Sequence, residues 1–471
     1  MNKSSSIARH GSVVFLALLM TGCNLQPHYQ RPALPIANHW NSQKVDLAGN
    51  TSDIGWKEFF DDPVMQSLIQ QALENNRDMR VAALNVEKAQ AQFRVQRSAL
   101  MPTINISGTE TAEYVPGNLY STKSTGPATW HQYEAGAGIS AWELDFFGRL
   151  RSLRDVEMET YLSTRASTRA TRLSLVSDVA TAYLTLCADN DLLRLASSTL
   201  YSQSQSLVLT QKMYRTGTSD AQAVMQAETS VKSAAADVEK YQRQVAQDTN
   251  ALRLLVGTQL PKGILSHASL DKQWQFPALP AGLPSDLLTH RPDIMAAEHT
   301  LKAANADIGA ARAAFFPSIS LTTFGGSASS SLNNLFDSGT AYWNFIPTIT
   351  LPIFDGGKNQ ANLDIAQITK RIDIANYEKS IQQAFKEVND ALAGQATWHN
   401  ELLAREQDTA ASQQYYDLAQ ARFRAGVDNY LNVLVAQRSL YQSQQTQIST
   451  RLSTLSQQIT LYKVLGGGWK A

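Results

Sequence analysis

The chain has 471 residues and carries 41 Lys+Arg against 41 Asp+Glu, a balance that removes any electrostatic case for binding nucleic acid. Hydrophobic residues make up 43% and charged residues 17%, so a core can be buried, yet the surface is poorer in charge than the ~25% of ordinary soluble proteins. Two cysteines exclude a disulfide scaffold and a four-cysteine zinc site, and beyond the N-terminal segment no run of ~18 apolar residues offers a transmembrane helix.

Residues 1–22 read as an export signal. Lys3, Arg9 and His10 precede the apolar stretch 13–20, which is too short to span a bilayer. The following Thr21-Gly22-Cys23 resembles a bacterial lipoprotein signal. The resemblance implies that Cys23 is lipidated and becomes the mature N-terminus, and Asn24 after it favours the outer membrane. A single lipid anchor holds weakly, so residues 23–61, read as anchor and periplasmic connection, imply further membrane contacts elsewhere.

The remainder is written twice, over 62–257 and 286–468, joined by a connection at 258–285 and followed by a tail at 469–471. Residues 89–106 answer 304–321 at an offset of 215. Arg215-Thr-Gly217 answers Arg424-Ala-Gly426, and Leu255-Val-Gly257 answers Val464-Leu-Gly466, both at 209. Each copy has a helix ending at a proline (Pro102, Pro317), two alternating segments, a very long helix, a glycine turn at Gly217 or Gly426, and a second long helix. Helices are predicted over 63–100, 149–213 and 220–255, then 286–314, 358–423 and 430–465. The hairpins fill 149–255 and 358–465.

A proline-free helix over 149–213 would span roughly 100 Å, which coiled-coil packing holds and a compact domain does not. Leu173, Val176, Ala180, Tyr183 and Cys187 step by three and four, as do Ile374, Tyr377, Ile381, Phe385, Val388 and Leu392. Both patterns predict a left-handed seam. In the last helix Arg451 is the only charge between Leu440 and Leu461. Gln, Ser and Thr in place of Glu and Lys suit a helix with neighbours on more than one side.

Strands are predicted near 103–114, 132–146, 318–327 and 342–354. Ile104 and Ile106 alternate with Asn105 and Ser107. Tyr133, Ala135, Ala137, Ile139 and Ala141 share one face, as do Trp343, Phe345, Pro347, Ile349, Leu351 and Ile353. Period-two alternation over about ten residues with aromatics near the ends is the pattern of transmembrane β-strands. Open edges are not tolerated in lipid, and about eight strands are the fewest that close a barrel. Four strands per chain therefore demand a shared barrel of two or three subunits.

The motifs at Thr21–Pro32, Trp142–Arg149, Arg291–Ile294, Gly309–Ser318, Pro352–Gly357 and Gly466–Trp469, in this order, resemble TolC-type outer-membrane efflux channels, the outer membrane factors, in the lipoprotein branch similar to OprM and CusC. The resemblance covers the chain from Cys23 to Trp469. It implies a homotrimer whose twelve-stranded β-barrel, four strands per subunit, continues into a periplasmic α-helical coiled-coil tunnel closed at its tip. It further implies that a periplasmic membrane-fusion adaptor meets the tip and an inner-membrane efflux transporter drives export of drugs, toxic compounds or metal ions. On this reading the chain is a passive duct in the outer membrane, not an enzyme, and uses no cofactor. The tip lies at Gly217 and Gly426. Leu431 and Arg438 match the family's aperture pattern. Val435 stands where relatives carry an acid, so Asp220 or Asp428 would have to supply any acidic ring, with Arg438 of a neighbour as a pairing partner.

Other constellations carry less. The eight histidines lack metal-ligand spacing. Cys187 reads as a buried small hydrophobe, Gly466-Gly467-Gly468 as a helix stop, and Arg291-Pro292-Asp293 as helix-start chemistry. The alternative is a periplasmic lipoprotein scaffold or the adaptor subunit itself. An adaptor would carry one hairpin rather than two.

Overall fold

The computed structural model describes residues 24–37, 39–40, 51–116, 128–282 and 284–468. The export signal, Cys23 and the tail 469–471 lie outside them. The chain divides into two compact units. One comprises Met1–Pro32, Val86–Thr164 and Ala297–Tyr377, and the other Ala33–Asn85, Arg165–Ala296 and Glu378–Ala471.

The segment expected as one helix over 63–100 is two. Helix α1, Pro63–Asn75, starts at Asp62, whose carboxylate accepts the Met65 amide at 2.7 Å, and it buries Met65, Leu68, Ile69 and Ala72. Asn76 turns to extended backbone, and its side chain accepts the Met79 amide at 2.9 Å. That bond begins α2, Arg77–Ser98. Such capping by a short polar side chain satisfies amides that a helix end leaves unpaired.

Helices α3 (Arg149–Arg215) and α4 (Ala221–Val256) form the first hairpin. Helix α5 is Pro292–Ala313; α6 (Lys358–Arg424) and α7 (Tyr430–Val464) form the second hairpin. Helices α3 and α6 have 67 residues each and start 209 apart, and α2 and α5 have 22 each and start 215 apart. The long helices open alike. Asp145 accepts the amides of Leu150 and Arg151 at 3.1 and 3.0 Å, and Asp355 accepts those of Gly357 and Asn359, both at 2.9 Å.

The α3 seam is buried at Val176, Ala180, Tyr183 and Cys187. On α6 the buried line runs Tyr377, Ile381, Ala384, Val388 and Ala391. Ala384 therefore takes the inner place expected for Phe385, whose ring stacks on Trp40 at 5.3 Å.

Strands β1 (Ile104–Val115), β2 (Ala128–Leu144), β3 (Ser318–Ser329) and β4 (Ala341–Thr350) form one antiparallel sheet in that order. The alternation expected along β2 holds to Ile139 and then resets. A bulge separates Ile139 from Trp142, which pair with Thr323 and Leu321. Ala141 sits at φ 50° with its amide on the Thr322 hydroxyl at 3.1 Å. Trp142, not Ala141, continues the Ile139 face, because the extra residue flips every side chain after it. Strand β4 stops at Thr350, so Leu351 and Ile353 fall outside it.

Candidate functional site

The sheet registers sort the strand residues onto two faces. One carries Ile104, Ile106, Ala135, Ala137, Ile139, Trp142, Ile319, Leu321, Trp343, Phe345, Pro347 and Ile349. The other carries Asn105, Ser107, Thr109, Glu134, Ser320, Thr322, Asn344, Thr348 and Thr350, with Phe324, Tyr342 and Ile346 among them. Ile106 is 89% exposed and Trp343 76% exposed in the single chain. A largely apolar, partly exposed face of this kind, interrupted by Glu110, Thr323 and Ser327, marks a contact with lipid or protein. Toward the β1 end of this face Glu110 accepts the Tyr133 hydroxyl at 2.9 Å and lies 3.1 Å from His131 Nδ1. At the opposite end Phe147 stacks on Phe316 at 4.8 Å, and Ile353 and Phe354 stand almost bare. Among the described residues β1 and β4 are edges, each paired with one strand.

Residues 25–31 run antiparallel to α5 as an extended strap. Arg31 donates to Glu298 through Nε at 3.1 Å and through Nη2 at 2.9 and 2.8 Å, and the Tyr29 hydroxyl donates to the same carboxylate at 3.2 Å. Asn305 Nδ2 donates to the Pro27 carbonyl at 2.8 Å, and Arg312 Nη1 to the Leu25 carbonyl at 3.3 Å. Glu298, Asn305 and Arg312 are seven apart, so they share one helix face over about 21 Å, the reach of six extended residues at about 3.3 Å each. A Cβ on Gly309 would stand 3.0 Å from the Gln26 Cα and 2.6 Å from the Ser152 hydroxyl, so glycine admits the strap. Burial pushes Glu298 upward, but hydrogen bonds from Arg31 and the charge of Lys302 outweigh it and hold its carboxyl below the usual range.

The two hairpin turns are built bond for bond alike. The Thr218 amide donates to the Met213 carbonyl at 2.9 Å and the Gly217 amide to Tyr214 at 3.1 Å; Val427 donates to Arg422 and Gly426 to Phe423, both at 3.0 Å. Gly217 and Gly426 take φ 73° and 71°, the left-handed closure of a Schellman turn. The next helices are capped by Asp220, which accepts the Ala223 amide at 2.7 Å, and by Asn429, which accepts that of Asn432 at 3.4 Å.

The aperture candidates separate. Leu431, Val435 and Arg438 lie on one exposed face of α7, at 43% and 42% exposure for the first two. Asp220 is occupied as a cap. Asp428 binds Arg422 of its own turn at 2.5 Å, and that hydrogen bond holds its carboxyl below the usual range. Sequence reasoning missed this pairing, although the two residues flank Gly426 six apart. It also missed the strap, for which the heptad spacing on α5 was the available signal.

Elsewhere the chemistry is structural. Burial pushes the Cys187 thiol up to about 12. Arg291 is buried and donates to Asp293 at 3.0 and 2.6 Å, to Glu387 at 2.8 Å and to the Val464 carbonyl at 3.3 Å. Its counterpart Asn76 donates to the Leu255 carbonyl at 2.9 Å. Asp248 on α4 is pushed up to about 7 by burial and by a hydrogen bond with Asp189 of α3. Among the described residues no group of three His, Cys, Asp or Glu is placed to hold a metal ion.

Set against known proteins, residues 68–258 and 283–467 match the family described as outer membrane efflux protein. The "Probable efflux pump outer membrane protein TtgC" of Pseudomonas putida is 46% identical over 465 residues, 97% of this chain and 95% of the relative. The "Cation efflux system protein CusC" of Escherichia coli is 42% identical over 460 residues, 97% and 98% of the two chains. The crystal structure of a membrane protein from Pseudomonas aeruginosa superposes with a TM-score of 0.89 at 38% identity, covering 95% of this chain and 98% of that one.

Proposed function

Because this chain belongs to the outer membrane efflux protein family, we propose that three copies share one closed barrel of twelve strands and conduct compounds passively out of the cell. The duct role and the outer-membrane location follow from the family. The observation that supports sharing is the four-stranded sheet with two open edges and one apolar face. Unpaired backbone in lipid costs several kcal/mol per group, and four strands do not close. The polar face would line the pore. The long hairpins would form the periplasmic tunnel, with their turns meeting a periplasmic adaptor that holds an inner-membrane transporter. The relatives' names include an efflux pump and a cation efflux system, so the partner transporter sets the cargo.

The strap supports the lipid anchor. It carries Asn24, the neighbour of Cys23, toward the end of α5 that leads into β3. Cys23→Ser should lose incorporated palmitate; continued labelling would remove the anchor.

Closure falls to Leu431. Asp428 is paired to Arg422 and Asp220 commits one carboxylate oxygen to a helix cap, so we rank Leu431 above either acid. Val435, one turn along, adds a second apolar ring. Narrow apolar rings exclude ions by dewetting. Leu431→Ala should raise single-channel conductance in planar bilayers and admit vancomycin to cells. Unchanged conductance in that variant, with opening on removal of Asp220 or Asp428 instead, would overturn the apolar gate. A protein that forms no channels at all would overturn the duct.

A further inference from the structure

We infer that Phe324, Tyr342 and Glu134 build a binding station for organic cations on the polar face of the sheet, an inference that rests on the duct reading above, in which that face lines the pore. Phe324 and Tyr342 interrupt the polar face as half-buried rings. Their centroids lie 6.0 Å apart at an interplanar angle of 49°. Asn344, opposite Phe324 in the register, donates through Nδ2 to the Tyr342 hydroxyl at 3.4 Å. Ile346 follows on the same face of β4, exposed, and lengthens the apolar patch.

Glycine on β2 makes room for the ring. Gly138 faces Phe324 in the register, and Gly136 stands diagonal to it. A Cβ on Gly136 would lie 2.8 Å from the Phe324 Cζ. The ring therefore leans along a strip of bare backbone toward β2. Glu134 is the next residue of β2 on this face, about 7 Å beyond Gly136 along the strand. Gln132 Nε2 donates to its Oε1 at 2.5 Å.

The charges on this face have one sign. Among the described residues the four strands contain no lysine or arginine. Glu143, next to the helices, is already paired with Arg149 at 2.5 Å. Glu113 lies farther out, directly opposite the exposed ring of Trp130. Ring and carboxylate thus stand together twice along the same face.

This pairing selects a class of ligand. The face of an aromatic ring attracts a cation, and a carboxylate nearby adds to the attraction. Phe324, Tyr342 and Ile346 offer apolar surface to the body of a molecule whose charged head lies toward Glu134. An anion meets only repulsion there. A small hydrated cation has the charge but no body to lay against the rings. The chemistry fits an ammonium compound with an aromatic or apolar body.

The test is single-channel recording of the full-length protein in planar bilayers, with benzyltrimethylammonium added from the extracellular side. It should reduce the potassium current at lower concentration than tetramethylammonium, and benzenesulfonate should not block. Phe324→Leu keeps apolar bulk but removes the ring. It should weaken block by benzyltrimethylammonium about two- to fivefold, the scale of an exposed cation–π contact. Glu134→Gln should weaken it about twofold, and more at low salt, where the charge is less screened. Heat-modifiable gel migration checks assembly, and Tyr342→Leu reads the same contact should Phe324→Leu fail to assemble. Wild-type channels that benzyltrimethylammonium does not block, or equal block in wild type and the assembled variants, overturn the station while leaving the duct intact. A wild-type protein that forms no channels overturns the duct and the station together.

Discussion

At Gly217 and Gly426 the chain makes the same turn, with the same two amide-to-carbonyl bonds and a cap three residues after each glycine. Yet at the first turn the cap is Asp220, whereas at the second Asn429 takes that place and Asp428 beside it binds Arg422. The contrast shows how little of a turn its backbone needs. A glycine at positive φ and one capping oxygen suffice, and the remaining positions are free to take on other chemistry. The other ends of the hairpins repeat the lesson. Leu255 and Val464 present equivalent carbonyls, one received by the amide of Asn76 and the other by the guanidinium of Arg291.

The sharpest way to break this comparison is at that second pair. Arg291→Ala empties a buried site and leaves the partly exposed Asp293 and Glu387 and the Val464 carbonyl without their donor, which should cost about 2–4 kcal/mol. Asn76→Ala loses a cap and one hydrogen bond, about 1–2 kcal/mol. Denaturant unfolding in detergent reads both; equal losses would mean that the two junctions are energetically alike despite their chemistry.

Next come the glycines. A Cβ on Gly257 would stand 2.5 Å from the Asn75 carbonyl oxygen, and one on Gly466 2.6 Å from that of His290, whereas Gly217 and Gly426 face open space. Alanine at Gly257 or Gly466 should cost about 2–4 kcal/mol through clash and strain, and at Gly217 or Gly426 about 1 kcal/mol through the positive φ alone. The same unfolding experiment decides. A turn glycine as costly as a junction glycine would show that the turn is held by more than its backbone.

These comparisons also show which parts of the fold were legible in sequence. The hairpins were, because a proline-free apolar rhythm and two glycines state them locally. The apolar strand face was legible up to Ile139, since alternation is a local signal. The bulge was not: Ala141 carries no mark of its positive φ, which is imposed by pairing with β3. Phe385 looked like a seam residue because its spacing fits, but Trp40, far away in sequence, draws it aside. Of the aperture candidates, Leu431 and Arg438 rest on the family resemblance, and the structure adds only that they share an exposed face of α7, while the engagement of Asp220 and Asp428 depends on turn geometry that spacing does not encode.

A smaller effect separates the hairpins by pH. The first holds Asp248 with a pKa raised to about 7 by burial and by Asp189. Between the ordinary carboxylate range and about pH 7 the folded state keeps a proton that the unfolded chain has released, so stability falls as pH rises through that window. Asp248→Asn should therefore stabilise more at pH 8 than at pH 5. A pH-independent effect would show that the pair does not share a proton.

The smallest expected change is at the second turn. Arg422 and Asp428 are solvent-screened, so Arg422→Ala should alter unfolding little and only at low salt. A large, salt-resistant loss would mean that the pair, rather than Gly426 and Asn429, carries the turn.

The central claim is that a four-stranded sheet with two bare edges is completed by other copies of itself. Native mass measurement of the detergent-solubilised protein tests it directly. The account predicts a single species of three chains with its β-structure intact. A monodisperse monomer with folded strands would contradict it.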